Sequence, residues 1–219
     1  MSTFIDFVLH INDHMVGLVN NFGDWTYLIL FLIIFVETGA VILPFLPGDS
    51  LLFAVSAIAA DSRYGLNIWV FIALFLFACA AGDSLNFYLG RHTEHLLSRY
   101  KWFSHFINQE SLEKGRAFFE KYGALSIILA RFMPIIRTFV PFVAAGSGFE
   151  YKHFIRYNLI ACVGWVILCC GGGYFFGNIP FVKAHFSVVV IGIIVVSLLP
   201  AVIGFIRSRL SRKVDKKVN

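Results

Sequence analysis

The sequence predicts an all-α polytopic membrane protein, built as an inverted repeat of two re-entrant helical hairpins that are each followed by a transmembrane helix. An N-terminal interfacial helix and a C-terminal transmembrane helix complete the predicted fold. The prediction depends on three observations: an apolar composition, two apolar segments broken by proline and glycine, and an uneven distribution of Lys and Arg along the chain.

The composition indicates that lipid is the main solvent. Of 219 residues, 58% are hydrophobic, only 14% are charged and 25 are Phe. A soluble domain this small does not carry so large an apolar fraction. We therefore expect one membrane-embedded domain over residues 1–206 and a basic tail over residues 207–219. The first 24 residues contain no Lys or Arg, so no cleavable signal peptide is predicted.

The first half of the chain contains a broken apolar segment. Residues 4–22 alternate polar and apolar positions at helical spacing, which is typical of a helix lying flat on a membrane. The apolar run 25–36 is too short to cross ~30 Å of hydrocarbon at ~1.5 Å per residue, and Pro44, Pro47 and Gly48 follow it. Short arms around such a break predict a re-entrant hairpin. Two helices joined by an exposed loop are the alternative.

The second half repeats this pattern. Residues 64–82 predict a full span that precedes a polar, partly helical extramembrane loop at 91–121. Residues 124–148 then form a second segment broken by Pro134 and Pro141. Two longer uncharged stretches follow at 157–182 and 186–206. Each of these is long enough for a transmembrane helix.

The basic residues indicate the orientation. Six lie within 91–121, Lys152 and Arg156 follow the second hairpin, and six lie within 207–217, whereas the opposite side receives only Arg63 and Lys183. The positive-inside rule then places the large loop and the C-terminus in the cytoplasm. The first hairpin would enter from outside and the second from the cytoplasm, as in transporters built from inverted repeats.

Five charged residues lie in or beside the apolar stretches: Glu37, Asp49, Asp83, Arg131 and Arg137. An unpaired charge there costs at least ~2.5–3.5 kcal/mol, so the acids of one hairpin are expected to neutralise the arginines of the other. Ion pairs that only hold the fold together are the alternative. Paired arginines match the oxygens of a phosphate headgroup, and a carboxylate released in a low-dielectric site favours its protonated form. We therefore expect Arg131 and Arg137 to bind a headgroup, and Glu37 or Asp49 to carry protons.

Neighbouring residues receive supporting roles. Asp49 and Ser50 precede an apolar helix and fit an N-cap. Asp83 is expected to cap a helix or to pair with Arg91 near the cytoplasmic boundary. The remaining predicted residues are Thr138 as a further supporting group, and Pro44, Pro47, Gly48, Pro134 and Pro141 as hinges. The His pairs and the four Cys lack the spacing of a metal or redox site, so no metal or cofactor is predicted.

Four stretches resemble a known family. They are FVETG at 35–39, FLPGDSLL at 45–52, GDSLNFYLGR at 82–91 and RFMPIIRTFVPFVAAG at 131–146. Together they closely resemble the DedA family of bacterial inner-membrane proteins, which carries the SNARE-associated or VTT domain. The resemblance implies a multi-pass lipid transporter similar to eukaryotic lipid scramblases, linked to the return of undecaprenyl phosphate and to the proton motive force. It places the family's essential acids on Glu37 and Asp49 and its essential arginines on Arg131 and Arg137.

Two function classes follow. The leading hypothesis is a flippase or scramblase for a polyprenyl phosphate or a related phospholipid, and the alternative is a proton-coupled antiporter for a small cation or drug. A lipid phosphatase is disfavoured because neither broken segment contains a His nucleophile. The expected partners are membrane lipids and protons. Nucleic acid is not expected, and a homo-oligomer is compatible with this architecture.

Overall fold

A computed structural model describes residues 11–39, 48–92, 109–133, 136–186, 188–189 and 191–192. All regular structure in these ranges is helical. The first half consists of α1 (Ile11–Phe22), α2 (Trp25–Gly39), α3 (Gly48–Ala59), a single 3-10 turn (Ser62–Tyr64) and α4 (Ile68–Arg91). The second half consists of α5 (Gln109–Tyr122), α6 (Leu125–Ala130), α7 (Ile136–Gly146), α8 (Tyr151–Phe176) and the short α9 (Pro180–Ala184).

Two of these helices, α4 and α8, are long and apolar enough to cross a membrane. Their 24 and 26 residues correspond to lengths of ~36 and ~39 Å at ~1.5 Å per residue. The helices α2, α3 and α7 are apolar but shorter. The prediction of an all-α protein with apolar spans is therefore confirmed for the described residues.

The predicted bounds of both spans are wrong by about one to two and a half turns. Helix α4 starts at Ile68, after a turn closed by Gly65 in the left-handed region, and it continues through Asp83 to Arg91. Helix α8 starts at Tyr151 and includes Lys152 within its first turn. The end of α4 and the start of α8 were missed for one reason: the uncharged run was taken as the helix, although each helix continues into the polar layer where its charged residues lie. The other two bounds fall inside the uncharged runs, where the turn at Gly65 delays the start of α4 and α8 ends at Phe176.

Some predicted segments fall outside the described residues. Of the interfacial helix predicted at 4–22, only α1 is described, and its Met15 and Val19 are buried. Most of the final span predicted at 186–206 and the whole tail at 207–219 lie outside the described ranges.

The helices of the two halves exchange contacts in a regular pattern. The first arm of each broken segment packs on the span of its own half, as α2 on α4 and α6 on α8. The second arm packs on the span of the other half, as α3 on α8 and α7 on α4. Each second arm also contacts the amphipathic helix that precedes its segment, so α1 lies against α3 and α5 against α7.

Two glycines allow the exchanged contacts to be close. A Cβ on Gly173 of α8 would lie 2.9 Å from the Cα and carbonyl carbon of Phe53 on α3. A Cβ on Gly90 of α4 would lie 2.7 Å from the same two atoms of Phe142 on α7. Both distances are shorter than real side chains tolerate. The second arms therefore touch the opposite spans backbone to backbone at corresponding places.

Apolar side chains form two main clusters, with polar residues between them. One cluster contains Phe71 and Phe75 of α4 together with residues of α2, α3 and the second half of α8. The other contains Phe87 of α4 and Phe154 of α8 together with residues of α6 and α7. Along α4, the buried Asp83 lies between the two clusters. The charged residues thus lie at depth within the protein.

Candidate functional site

Arg137 connects the two broken segments. It lies on α7 and donates to Oε1 of Glu37 on α2 and, at 3.3 Å, to Oδ1 of Asp49 on α3. The side chains of Arg137 and Glu37 are 8% and 0% exposed, whereas that of Asp49 is 19% exposed. The predicted meeting of oppositely charged segments is therefore observed for Arg137.

Arg131 takes a different partner from the one expected. It follows α6, and its Nη1 lies 2.5 Å from Oδ2 of Asp83 on α4, with both side chains almost fully buried. The predicted pairing of Arg131 with Glu37 or Asp49 is thus wrong. Helix α4 continues beyond Gly82, and Asp83 lies on its buried face. Asp83 therefore supplies the countercharge to Arg131.

Arg91 does not join this group. The predicted pair with Asp83 is wrong, because Arg91 lies eight residues further along the same helix, or ~12 Å at ~1.5 Å per residue. Arg91 is exposed at the end of α4. Asp83 also caps no helix, since it lies in the interior of α4.

Trp165 bridges the two ion-pair groups, and the sequence analysis did not single it out. This residue of α8 is 3% exposed, and its indole Nε1 donates to Oδ1 of Asp49 at 2.9 Å. Its ring lies 4.7 Å from the guanidinium carbon of Arg131 and 5.7 Å from that of Arg137. Both distances suit cation–π attraction. The sequence gives no signal for this contact, because a Trp in an apolar stretch can equally face lipid.

The group contains three carboxylates and two guanidiniums: Glu37, Asp49 and Asp83 with Arg131 and Arg137. With every group ionised, this leaves one negative charge in excess. A buried charge without a partner is expensive. Uptake of one proton or one cation would bring the group to neutrality.

Several buried polar atoms of the site have no hydrogen-bond partner among the described residues. They include Nε of Arg131, Nε of Arg137 and Oγ of Ser50. Buried polar groups in proteins are usually satisfied. Both arginines therefore keep donor capacity beyond their ion pairs, and the hydroxyl of Ser50 lies buried on α3 beside Asp49. Thr138, next to Arg137, is also buried.

The predicted N-cap and hinge residues have more specific positions. Helix α3 begins at Gly48, so Asp49 lies in its first turn, where the helix dipole favours a carboxylate. A Cβ on Gly48 would overlap the carboxylate of Glu37, so this glycine permits a close approach. Pro141 lies inside the continuous helix α7, and the prediction of a break there is wrong. Pro44, Pro47 and Pro134 lie outside the described residues.

Two buried asparagines also escaped the sequence analysis. Nδ2 of Asn86 on α4 donates to the backbone oxygen of Thr38 at 2.7 Å, next to Glu37. Asn158 on α8 is 2% exposed, and its Oδ1 lies 3.7 Å from Sγ of Cys162. The bond of Asn86 fixes the end of α2, and with it the position of Glu37, against the first span.

Comparison with known proteins gives consistent matches. The family model described as the VTT domain matches residues 46–175. Protein DedA of Escherichia coli is 48% identical over 206 residues, which cover 94% of this chain and 93% of that protein. An uncharacterized membrane protein of Mycobacterium tuberculosis is 36% identical over 97% of this chain and 94% of its own length. The inner membrane protein YghB of Escherichia coli is 28% identical over 82% of this chain and 78% of its own. No solved structure matches.

Proposed function

Because the chain belongs to the DedA family of membrane proteins, which contain the VTT domain, we propose that it moves a phosphate-bearing lipid between the leaflets of a bacterial inner membrane. The substrate class is a polyprenyl phosphate such as undecaprenyl phosphate, or a related phospholipid. In this proposal the chain binds and releases its substrate without covalent chemistry.

The proposed architecture is that of two opposed re-entrant hairpins. The exchanged packing of α2, α3, α6 and α7 on the two spans supports it, because each half contributes one arm to its own span and one to the other. The Lys and Arg distribution supports a cytoplasmic large loop and C-terminus. The polar residues then lie between the two hairpins, at a depth that a travelling headgroup has to cross.

One observation supports the proposal most directly: a buried arginine of one broken segment is held by two carboxylates of the other. Arginine binds phosphate oxygens in the same forked geometry as carboxylates. A phosphate headgroup therefore competes with Asp49 for Arg137. A site of this kind lets an anion bind and leave, because Asp49 can pair with Arg137 again after release.

Proton coupling follows from the excess carboxylate. A phosphate that enters beside Arg137 adds negative charge to a group that already has more acids than bases. Protonation of Glu37 or Asp49 reduces this negative charge by one, since an unpaired carboxylate in a low-dielectric site favours its neutral form. Lipid movement in one direction would then carry a proton.

Reconstitution in proteoliposomes tests the proposal. Leaflet exchange of a fluorescent polyprenyl phosphate should fall at least about tenfold in Arg137→Ala, as removal of a buried charged partner predicts, while the protein still inserts. Arg63→Ala is a matched control, because Arg63 is an exposed arginine that pairs with Asp61 at 2.6 Å. Unchanged exchange in Arg137→Ala would refute the proposal. Arg131→Ala is also expected to stop exchange, but it leaves Asp83 buried without its countercharge.

A proton-coupled antiporter for a small cation is the second candidate. The same excess carboxylate favours it, because a cation could neutralise Glu37 and Asp49 directly. Cation flux driven by a pH gradient in vesicles that show no lipid exchange would favour the antiporter. Lipid exchange without cation flux would favour the transporter of phosphate-bearing lipids.

A further inference from the structure

Two donors converge on one oxygen atom of Asp49. Nε1 of Trp165 lies 2.9 Å from Oδ1 of Asp49, and Nη1 of Arg137 lies 3.3 Å from the same oxygen. The indole bond has the length of a good hydrogen bond, whereas the arginine bond is long for one. Asp49 is therefore held more closely by Trp165 than by its ionic partner.

Asp49 is also the carboxylate that an incoming anion can displace. Its side chain is 19% exposed, compared with 0% for Glu37 and 4% for Asp83. Arg137 is bonded to Glu37 on its other terminal nitrogen. An anion that reaches Arg137 from the exposed side therefore replaces Asp49 and leaves the bond to Glu37 in place.

Resting on the proposed function, we infer that Trp165 is a positioning residue for substrate binding: it keeps hold of Asp49 when a phosphate headgroup takes the place of that carboxylate on Arg137. The displaced carboxylate then has a donor that is already in contact with it. Without this donor, the displaced carboxylate loses one of its hydrogen bonds, and it competes more strongly with the phosphate for Arg137. Trp165 thus favours the state in which a phosphate has replaced Asp49 on Arg137.

The indole ring also lies against both guanidiniums, so its aromatic face and its N–H have to be tested separately. Trp165→Phe keeps a six-membered aromatic ring at this position and removes the N–H donor, together with the remaining volume of the indole; an Asp49→Asn background separates these two losses. Trp69→Phe is the matched control, because Trp69 is 74% exposed at the start of α4. Neither substitution removes a charge.

The probe is dihexanoyl phosphatidic acid, a short-chain lipid that ends in a bare phosphate, with dihexanoyl phosphatidylcholine for comparison. Calorimetric titration of the purified protein in detergent should show a Kd for phosphatidic acid about tenfold higher in Trp165→Phe, as expected for loss of a hydrogen bond to a charged group. Trp69→Phe should match the wild type. In an Asp49→Asn background the Trp165→Phe substitution should have no further effect, because the competing carboxylate is gone.

The outcomes separate this inference from the proposed function. A wild type that does not bind phosphatidic acid would overturn both. Binding by the wild type with the same Kd in Trp165→Phe, or an equal loss in the Asp49→Asn background, would overturn the positioning role alone. If Trp165→Phe fails to fold, the inference can be tested with a variant that keeps Trp165 and has Phe at the other three Trp positions. Its fluorescence should change saturably with phosphatidic acid, and an unchanged signal during calorimetrically detected binding would overturn the inference.

Discussion

Three consecutive glycines of α8 allow a sharp test of the packing that positions the site. A Cβ on Gly173 would lie 2.9 Å from backbone atoms of Phe53, one on Gly172 would lie 3.7 Å from the Phe53 ring, and one on Gly171 would meet nothing within 4 Å. Gly173→Ala therefore forces α3 and α8 apart, whereas Gly171→Ala, in the same helix and two residues away, does not. The pair differs only in what the new methyl group meets.

The magnitude follows from the distances. Ordinary contact begins near 3.4 Å, so the two backbones have to separate by about 0.5 Å or more. Overpacking of this kind costs ~1–3 kcal/mol, and the better helix propensity of Ala returns ~0.5–1 kcal/mol. The net loss is ~0–2.5 kcal/mol. Because Gly171→Ala gains the same helix propensity without the overpacking, the two variants should differ by ~1–3 kcal/mol, or by ~2–12 °C in Tm for a chain of this size.

The site should respond as well. Phe53 lies one turn after Asp49 on α3, and Gly173 lies about two turns after Trp165 on α8. Separation of the helices therefore lengthens the bond between Asp49 and Trp165, and lipid exchange should fall in Gly173→Ala but not in Gly171→Ala. Thermal unfolding in detergent and exchange in proteoliposomes measure the two effects. Equal Tm values for the two variants would refute the reasoning.

Three further substitutions test the site. Gly48→Ala places a methyl group on the carboxylate of Glu37. Lipid exchange should therefore fall by at least about tenfold, in line with overpacking costs of ~1–3 kcal/mol, and normal exchange would contradict the close approach of Gly48 to Glu37. Asp83→Asn removes the carboxylate paired with the buried Arg131 and should destabilise the protein by ~3–5 kcal/mol. Size-exclusion profiles should then show loss of monodisperse protein. The double substitution Asp83→Leu with Arg131→Leu should restore a monodisperse profile. Asn86→Leu removes the donor to the Thr38 carbonyl and should lower stability by ~1–3 kcal/mol in thermal unfolding, whereas a Tm equal to that of wild type would show that this bond does not hold α2.

The pairing of Arg137 with Glu37 and Asp49 could be predicted from the sequence because the cost of intramembrane charge leaves few solutions. Both acids lie on one broken segment and Arg137 on the other, so neutrality requires that the segments meet. The same argument does not choose between partners. To predict that Arg131 pairs with Asp83, one has to know that α4 continues past Gly82 and that Asp83 lies on its buried face.

The sequence could not identify Trp165 as a residue of the site, because a Trp in an apolar stretch can either face lipid or be buried in the protein. Trp25 and Trp69 are 67% and 74% exposed, as expected for rings that face lipid or its boundary, whereas Trp165 is 3% exposed. Only the packing of α3 against α8 distinguishes them. The role of α5 was missed for a similar reason, since its charged sequence resembles a surface loop although the helix packs on α7 in the way that α1 packs on α3.

The separation of the paired charges along the chain has a consequence for biosynthesis. Arg137 follows Glu37 by 100 residues and Asp49 by 88, so at ~5–20 residues per second the ribosome needs ~5–20 s to make the cation that the two acids require. Throughout this interval the nascent first half has to keep both acids hydrated, protonated or shielded by the insertion machinery. A polypeptide released before Arg137 should therefore be a substrate for membrane quality control, and the two halves should become protease-resistant together.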